Sequence, residues 1–301
     1  MKEDFNKYIT DISVDELNHT NAVTCTNNEG YSTILVRSNG NNVNSLSFDN
    51  DFFCMKNNIK LSIDNNDIGI FHILICKKSD EENIAHFKRV CNYLFLKQNK
   101  ALSADEMLNL FNSLETIFNS STIRDSASEI GLYGELALLN YMHNLDDNIY
   151  SLWHNNFLCK HDVEINDRVK IEIKTTVKDF RKHTFSHDQI YRPRLKVYVA
   201  SLVLKPVEVG MSLYDLCLST MKLLNSEQII NLEKQMKKLG INGNYNGIAC
   251  ILAEVYDEIK FYDADDLPKI GNIPDGISNV HYDVDLSNIE TIPVRNINIG
   301  G

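Results

Sequence analysis

The chain has 301 residues, 43% of them hydrophobic and 24% charged, with 41 acidic against 30 basic side chains and a net charge of −11. That is the composition of one large or two ordinary globular domains with buried cores; it excludes a low-complexity chain and argues against tight autonomous binding of nucleic acid. Seven scattered cysteines, odd in number and without a CxxC pair, exclude a disulfide framework and a thiolate zinc site and read as reduced core thiols.

The start, Met1 to Asn6, is charged, and the longest apolar run, Ile68 to Cys76, is strand-sized and contains His72. The expectation is a soluble, cytoplasmic protein without a membrane segment. Residues 1–78 carry short apolar runs at Ala22–Cys25, Tyr31–Val36, Ile59–Ile63 and Ile68–Cys76, separated by Asn, Asp and Gly, which predicts a β-rich N-terminal domain. Two helices are predicted next, Glu81–Gln98 and Ser103–Phe118, the second opened by a Ser103/Glu106 capping box; residues 79–122 then read as a helical connector.

Residues 123–301 form the third predicted region. A helix begins at a Ser126/Glu129 capping box and runs to Met142. Counting by three and four from Glu135 reaches Leu132, Leu138, Leu139 and Met142, so its carboxylate lies on the apolar stripe. An unpaired buried charge costs several kcal/mol by order of magnitude, so Glu135 needs a cation, a metal or a wet cleft. Gly131 and Gly134 beside it suggest close approach to a sheet or ligand. Trp153 reads as core, and His154 and His161 have no partner at useful spacing.

Next comes a hairpin, 161–165 and 169–176, both arms alternating apolar and polar residues. A three-residue loop, Asn166 to Arg168, sets Val163 against Ile171 and Ile165 against Val169 on one face. The other face then receives Glu164 opposite Lys170 and Asp162 opposite Glu172, with Lys174 two residues further on. A two-residue loop would oppose Val163 to Lys170 and is rejected. Two facing carboxylates repel unless something positive sits between them, and oxygen ligands favour a hard ion such as Mg2+ or Mn2+. Lys174 on the same face could orient and deprotonate an attacking water or neutralise developing charge.

From Arg168 to Lys205 ten basic residues meet three acidic ones, a net of +7 in a chain of −11, leaving −18 for the rest. Lys178, Arg181, Lys182, Arg192 and Arg194 are the candidates for a DNA-backbone surface. His183 and His187 could be metal ligands only if helical, and Ser186 between them is a candidate cap. Val197–Leu204 reads as a buried strand, Ser212–Leu224 and Ser226–Leu239 as amphipathic helices, and Ile248–Ile259, His281–Leu286 and Ile289–Val294 as strands. There is no repeat, no phosphate loop and no Ser-His-Asp arrangement.

Glu135, Asp162 and Glu172-Ile-Lys174 together resemble the PD-(D/E)xK nuclease superfamily, whose restriction-endonuclease-like core runs helix, three strands, helix, strand. The wider pattern is 131–136, Trp153, His161-Asp162, 172–176 and 183–189. It is similar to a bacterial group of PD-(D/E)xK proteins encoded beside restriction-modification and phage-defence genes. His161 stands where the motif's name has proline. The resemblance implies an α/β (α+β) fold with a restriction-endonuclease-like mixed sheet flanked by helices. It further implies that Asp162 and Glu172, supported by Glu135, hold Mg2+ or Mn2+, that Lys174 assists the water, and that Gln189 touches the water or the scissile phosphate, a role for which a capping or core hydrogen bond by Gln189 is an equal alternative. The expected function is a metal-dependent DNA endonuclease of a restriction-modification or antiphage system. Its partners would be DNA and proteins of the same defence operon, a homodimer being compatible; RNA is not separable from DNA here. The alternative is a catalytically inactive nuclease-fold subunit for DNA binding or complex assembly.

Overall fold

The computed structural model describes residues 2–4, 17, 19–40, 46–63, 66–119, 122–123, 125–153, 161–192, 194–271 and 273–297; His154 and Cys159 lie outside them. The chain divides into two compact units, Met1–Ile123 with Ser226–Asn242, and Arg124–Asn225 with Gly243–Gly301.

In chain order the first unit opens with β1 (Lys2–Asp4), β2 (Ala22–Thr26), β3 (Ser32–Arg37), β4 (Ser47–Asp49), β5 (Phe53–Ile63) and β6 (Asn66–Cys76). α1 (Glu81–Cys91), a π-turn at Asn92–Leu96 and α2 (Ala104–Phe118) follow. The second unit then supplies α3 (Ser126–His143), β7 (Val163–Glu164), β8 (Val169–Thr176), β9 (Lys182–Ser186), α4 (His187–Ile190), β10 (Lys196–Val203), β11 (Met211–Ser212) and α5 (Leu213–Met221). The chain returns to the first unit for α6 (Ser226–Leu239). It completes the second with β12 (Ala249–Cys250), α7 (Leu252–Asp257), β13 (Lys260–Asp263) and β14 (His281–Asp285).

The first unit is built on one sheet of order β1-β5-β6-β3-β2, with β4 added to β5. Its apolar runs are buried because alternate residues of β3, β5 and β6 point into packed layers: Leu35, Ile59, Leu61, Phe71 and Ile73 form one cluster. Phe53 meets Phe118 edge-on at 4.7 Å and stacks on Phe87 at 5.8 Å. Each such ring, fully buried, contributes about 1.5–3 kcal/mol. The helices expected as a connector therefore belong to this unit. Residues Ser226–Asn242, assigned by sequence to the third region, join them, because α6 buries Ile229, Leu232 and Met236 as it packs on α2. The Ser103/Glu106 capping box is formed.

The second unit holds a mixed four-stranded sheet, β13-β10-β8-β7. β8 runs antiparallel to β7 and parallel to β10, which runs antiparallel to β13. The sequence α3, β7, β8, β9, α4, β10 reproduces the order helix, three strands, helix, strand, except that β9 pairs with β14 and stands outside that sheet. The hairpin has the expected register, Val163 opposite Ile171 and Glu164 opposite Lys170. Asn166 Oδ1 accepts from the Arg168 and Val169 amides at 2.9 and 3.0 Å, closing the three-residue loop.

Four local expectations differ. The cap of α3 is Asp125, whose Oδ1 accepts from the Ala127 amide at 3.2 Å, so the helix starts one residue earlier than a Ser126 cap would place it. Residues 248–259 form no continuous strand: β12 takes 249–250 and α7 takes 252–257, with Val255 the one buried side chain of that helix, and no period-two burial holds the segment in a sheet. Residues 289–294 form no strand, only an isolated bridge from Ile292 to Phe261. His183 lies in β9 and His187 opens α4, so they are not a helical i, i+4 pair. None of the described cysteines forms a disulfide. Among the described residues no helix is long and apolar enough to cross a membrane.

Candidate functional site

The site is assembled where α3 crosses β8. A Cβ built on Gly134 would fall 1.8 Å from Thr175 Oγ1, so only glycine lets the helix lie this close to the strand. Glu135, the next residue, is thereby delivered to the strand that carries Glu172 and Lys174. Gly131 plays no such part, since nothing lies within 4 Å of its built Cβ.

Glu172 is 2% exposed. Its Oε1 accepts from Lys174 Nζ at 2.9 Å and from Gln189 Nε2 at 2.5 Å. Gln189 also accepts, through Oε1, from the Ser186 amide at 2.9 Å and from Lys174 Nζ at 3.2 Å. Gln189 thus ties the start of α4 to the charged pair on β8, and the ammonium of Lys174 sits 5.1 Å from the centre of the Phe185 ring. Asp162, just before β7, accepts the Ile173 amide on Oδ2 at 2.7 Å, which pins its carboxylate to the neighbouring strand. The Trp153 indole donates to Glu135 Oε2 at 3.3 Å.

The charges are in conflict. Burial pushes Asp162 well above the usual carboxylate range, and the charges of Glu172 and Glu135 push it the same way. Burial likewise raises Glu135 to about 7; the indole bond and Lys174 oppose that rise, and Glu172 adds to it. Three acids thus share one nearby ammonium, and Glu172 Oε2 is buried with no hydrogen-bond partner among the described residues. Oxygen donors with an orphaned, buried acceptor and mutually repelling charges fit a hard divalent cation. As packed, however, no three His, Cys, Asp or Glu side chains among the described residues gather into a metal-ligating group, and Lys174 and Gln189 engage Glu172 Oε1.

Two participants were not found from sequence. Trp153 is core, as its sequence context suggests, and its 2%-exposed ring also donates a hydrogen bond to Glu135. His161, read as partnerless, is buried with Nδ1 3.5 Å from Glu172 Oε2, close enough for charge interaction, and neither ring nitrogen makes a hydrogen bond among the described residues. Its place next to Asp162, within the family pattern, is the signal the sequence offers.

The five candidate DNA-backbone residues separate. Lys178, Lys182 and Arg194 are exposed, Lys182 pairing with Asp283 at 3.4 Å and Arg194 adopting φ +85°. Arg192 is half-buried and donates through Nε to the Asp188 carbonyl at 2.7 Å. Arg181 is withdrawn from that surface. Its guanidinium is buried and donates to the Ser201 carbonyl at 2.7 Å, Ser201 Oγ at 3.1 Å, the Glu258 carbonyl at 2.6 Å and Glu258 Oε2 at 3.0 Å. Adjacent His183 contacts Ser201 Oγ at 2.7 Å and is pulled down to about 4 by burial and by the Lys174 and Arg181 charges. A neutral imidazole satisfied by a serine serves packing rather than zinc, and His187 is likewise engaged with the Tyr282 hydroxyl at 3.2 Å.

No curated protein and no solved structure matches the chain. A family model described as "Putative PD-(D/E)XK family member, (DUF4420)" matches residues 2–287. With a match over nearly the whole sequence, and with the nuclease-like α+β arrangement just described, the chain belongs to this PD-(D/E)XK family.

Proposed function

We propose that the protein is a metal-dependent endonuclease that hydrolyses phosphodiester bonds in DNA, working within a restriction-modification or antiphage system. The observation that carries this reading is the meeting of Glu135, Asp162, Glu172 and Lys174 at one crossing of helix and strand, in a chain of this family. Asp162 and Glu172, with Glu135 behind them, are the residues that would hold Mg2+ or Mn2+. A bound divalent ion supplies Lewis acidity and lowers the pKa of a bound water.

The side chains do the rest. Gln189 holds Lys174 and Glu172 in register, and Asp162 is fixed by the Ile173 amide. In hydrolysis the water oxygen bonds to phosphorus while one bond from phosphorus to a deoxyribose oxygen breaks. The water's proton leaves, and the departing oxygen gains one. Lys174 is the group placed to position the water and to balance charge as it builds on the phosphoryl oxygens. Lys178, Lys182 and Arg194 are the remaining candidates for phosphate contacts.

Asp162→Asn keeps an acceptor for the Ile173 amide, and Lys174→Ala removes the ammonium. Both are expected to fold, with circular dichroism unchanged, and to lose plasmid cleavage in Mg2+ by at least about 100-fold. Cleavage at the wild-type rate by either variant would refute the assignment. The second reading, a catalytically inactive subunit for DNA binding or assembly, is favoured by the engagement of Glu172 with Lys174 and Gln189 instead of a carboxylate cluster. Calorimetric titration with Mn2+ separates the two: binding that Asp162→Asn removes supports the enzyme, and no binding supports the inactive subunit.

A further inference from the structure

The strand that carries Glu172 and Lys174 leads directly into a turn, residues 177–180, that holds two apolar side chains out in solvent. Val177 is 42% exposed and Phe180 is 50% exposed. Single exposed apolar side chains are ordinary on a protein surface, but this pair shares one turn with a lysine, and the turn is held firmly. Thr176 Oγ1 accepts from the Lys178 amide at 3.1 Å. Arg181, directly after Phe180, is anchored by its four donor bonds to Ser201 and Glu258, and its carbonyl accepts from the Leu286 amide at 2.8 Å. The burial that removes Arg181 from the surface is what fixes Phe180 on it.

The turn carries mixed charge, with Lys178 and Asp179 inside it and Lys182 beyond it paired to Asp283 at 3.4 Å. The Lys178 ammonium lies 5.6 Å from the centre of the Phe180 ring, and exposed Lys182 opens β9 just beyond; Asp179, in the same turn, is exposed too. Val177 lies three steps along the chain from Lys174 and Phe180 six, spans of at most about 11 and 22 Å along an extended chain. At about 3.4 Å per base step, that is within a single nucleic-acid footprint.

We propose that the 177–180 turn is a stacking wedge: Phe180, backed by Val177, packs against a nucleobase of the same nucleic acid whose phosphate meets Glu172 and Lys174, and Lys178 contacts its backbone. Aromatic side chains stack on any base, so the wedge adds affinity and unstacks the duplex near the cut without selecting sequence. The proposal rests on the nuclease reading for its ligand, and the two can fail separately.

The test measures fluorescence anisotropy of labelled duplex and single-stranded DNA with the full chain carrying Asp162→Asn, alone and combined with Phe180→Ala or Phe180→Trp. Phe180→Ala is expected to weaken binding about 5- to 150-fold, the range of one lost base stack. Phe180→Trp is expected to retain affinity and to show tryptophan quenching on DNA addition against the constant background of buried Trp153. DNA binding that depends on Phe180 with no cleavage by the wild type would keep the wedge and discard the nuclease. Unchanged affinity in Phe180→Ala, with wild-type cleavage intact, would discard the wedge alone. No DNA binding at low salt and no cleavage would overturn both.

Discussion

Glu135 is a carboxylate on an apolar helix stripe, and its environment stabilises the neutral form. Its carboxyl titrates near 7 in the fold against an ordinary value of 4.5, so the folded chain holds that proton more tightly than the unfolded one. Its stabilising contribution is complete below about 4.5 and is lost as the pH rises through about 7. Glu135→Gln removes the titration and keeps an acceptor for the Trp153 indole. The variant is therefore expected to gain stability over the wild type as the pH rises from 5 to 8, by up to about 3 kcal/mol. Urea denaturation at both pH values checks this; a difference that does not grow with pH would contradict it. The presence of Glu135 on the buried stripe was legible from helical periodicity. Its partner was not, because Trp153 reaches it across a chain separation that periodicity does not encode.

At the scale of elements, the contact of α3 with β8 rests on one missing methyl group. Gly134→Ala would drive a Cβ to 1.8 Å from Thr175 Oγ1 and 2.8 Å from Thr175 Cβ, so helix and strand must separate. Gly131→Ala, on the same helix, meets nothing within 4 Å. The expectation is a loss of about 2 kcal/mol or more for Gly134→Ala and a gain of up to about 1 kcal/mol for Gly131→Ala, read as opposite shifts in thermal midpoint. Equal shifts would show that the close approach is not what holds the two elements together. The β7–β8 register was readable because a one-residue slip would exchange buried for exposed faces along both arms. The segment 248–259 was not readable: a short apolar run fits strand or helix, and neighbours decide.

At the scale of the whole molecule, the chain leaves its first unit after Ile123 and re-enters it with α6. That return is secured inside the first unit by a buried cluster. Arg89 bonds both oxygens of Glu233, and His86 Nδ1 lies 3.0 Å from Glu233 Oε2. Burial pushes Glu233 up, but the His86 hydrogen bond and the Arg89 charge outweigh it and hold the carboxyl below its ordinary range. Arg89→Ala would leave that carboxylate buried and uncompensated, costing about 3–5 kcal/mol, whereas Arg89→Met with Glu233→Met is expected to come close to the wild type. Chemical denaturation of the full chain distinguishes these outcomes. A single variant as mild as the double one would mean the pair is not a lock.

The sequence by itself determined the helix bearing Glu135 and the hairpin register that sets Glu164 opposite Lys170 and Val163 opposite Ile171, because each follows from local periodicity and turn chemistry. Only the tertiary structure decided that Arg181 is an internal anchor, that Trp153 and His161 attend the carboxylates, and that α6 belongs with the first sheet. Those outcomes depend on which distant surfaces bury one another, and burial between remote segments leaves no period in the chain.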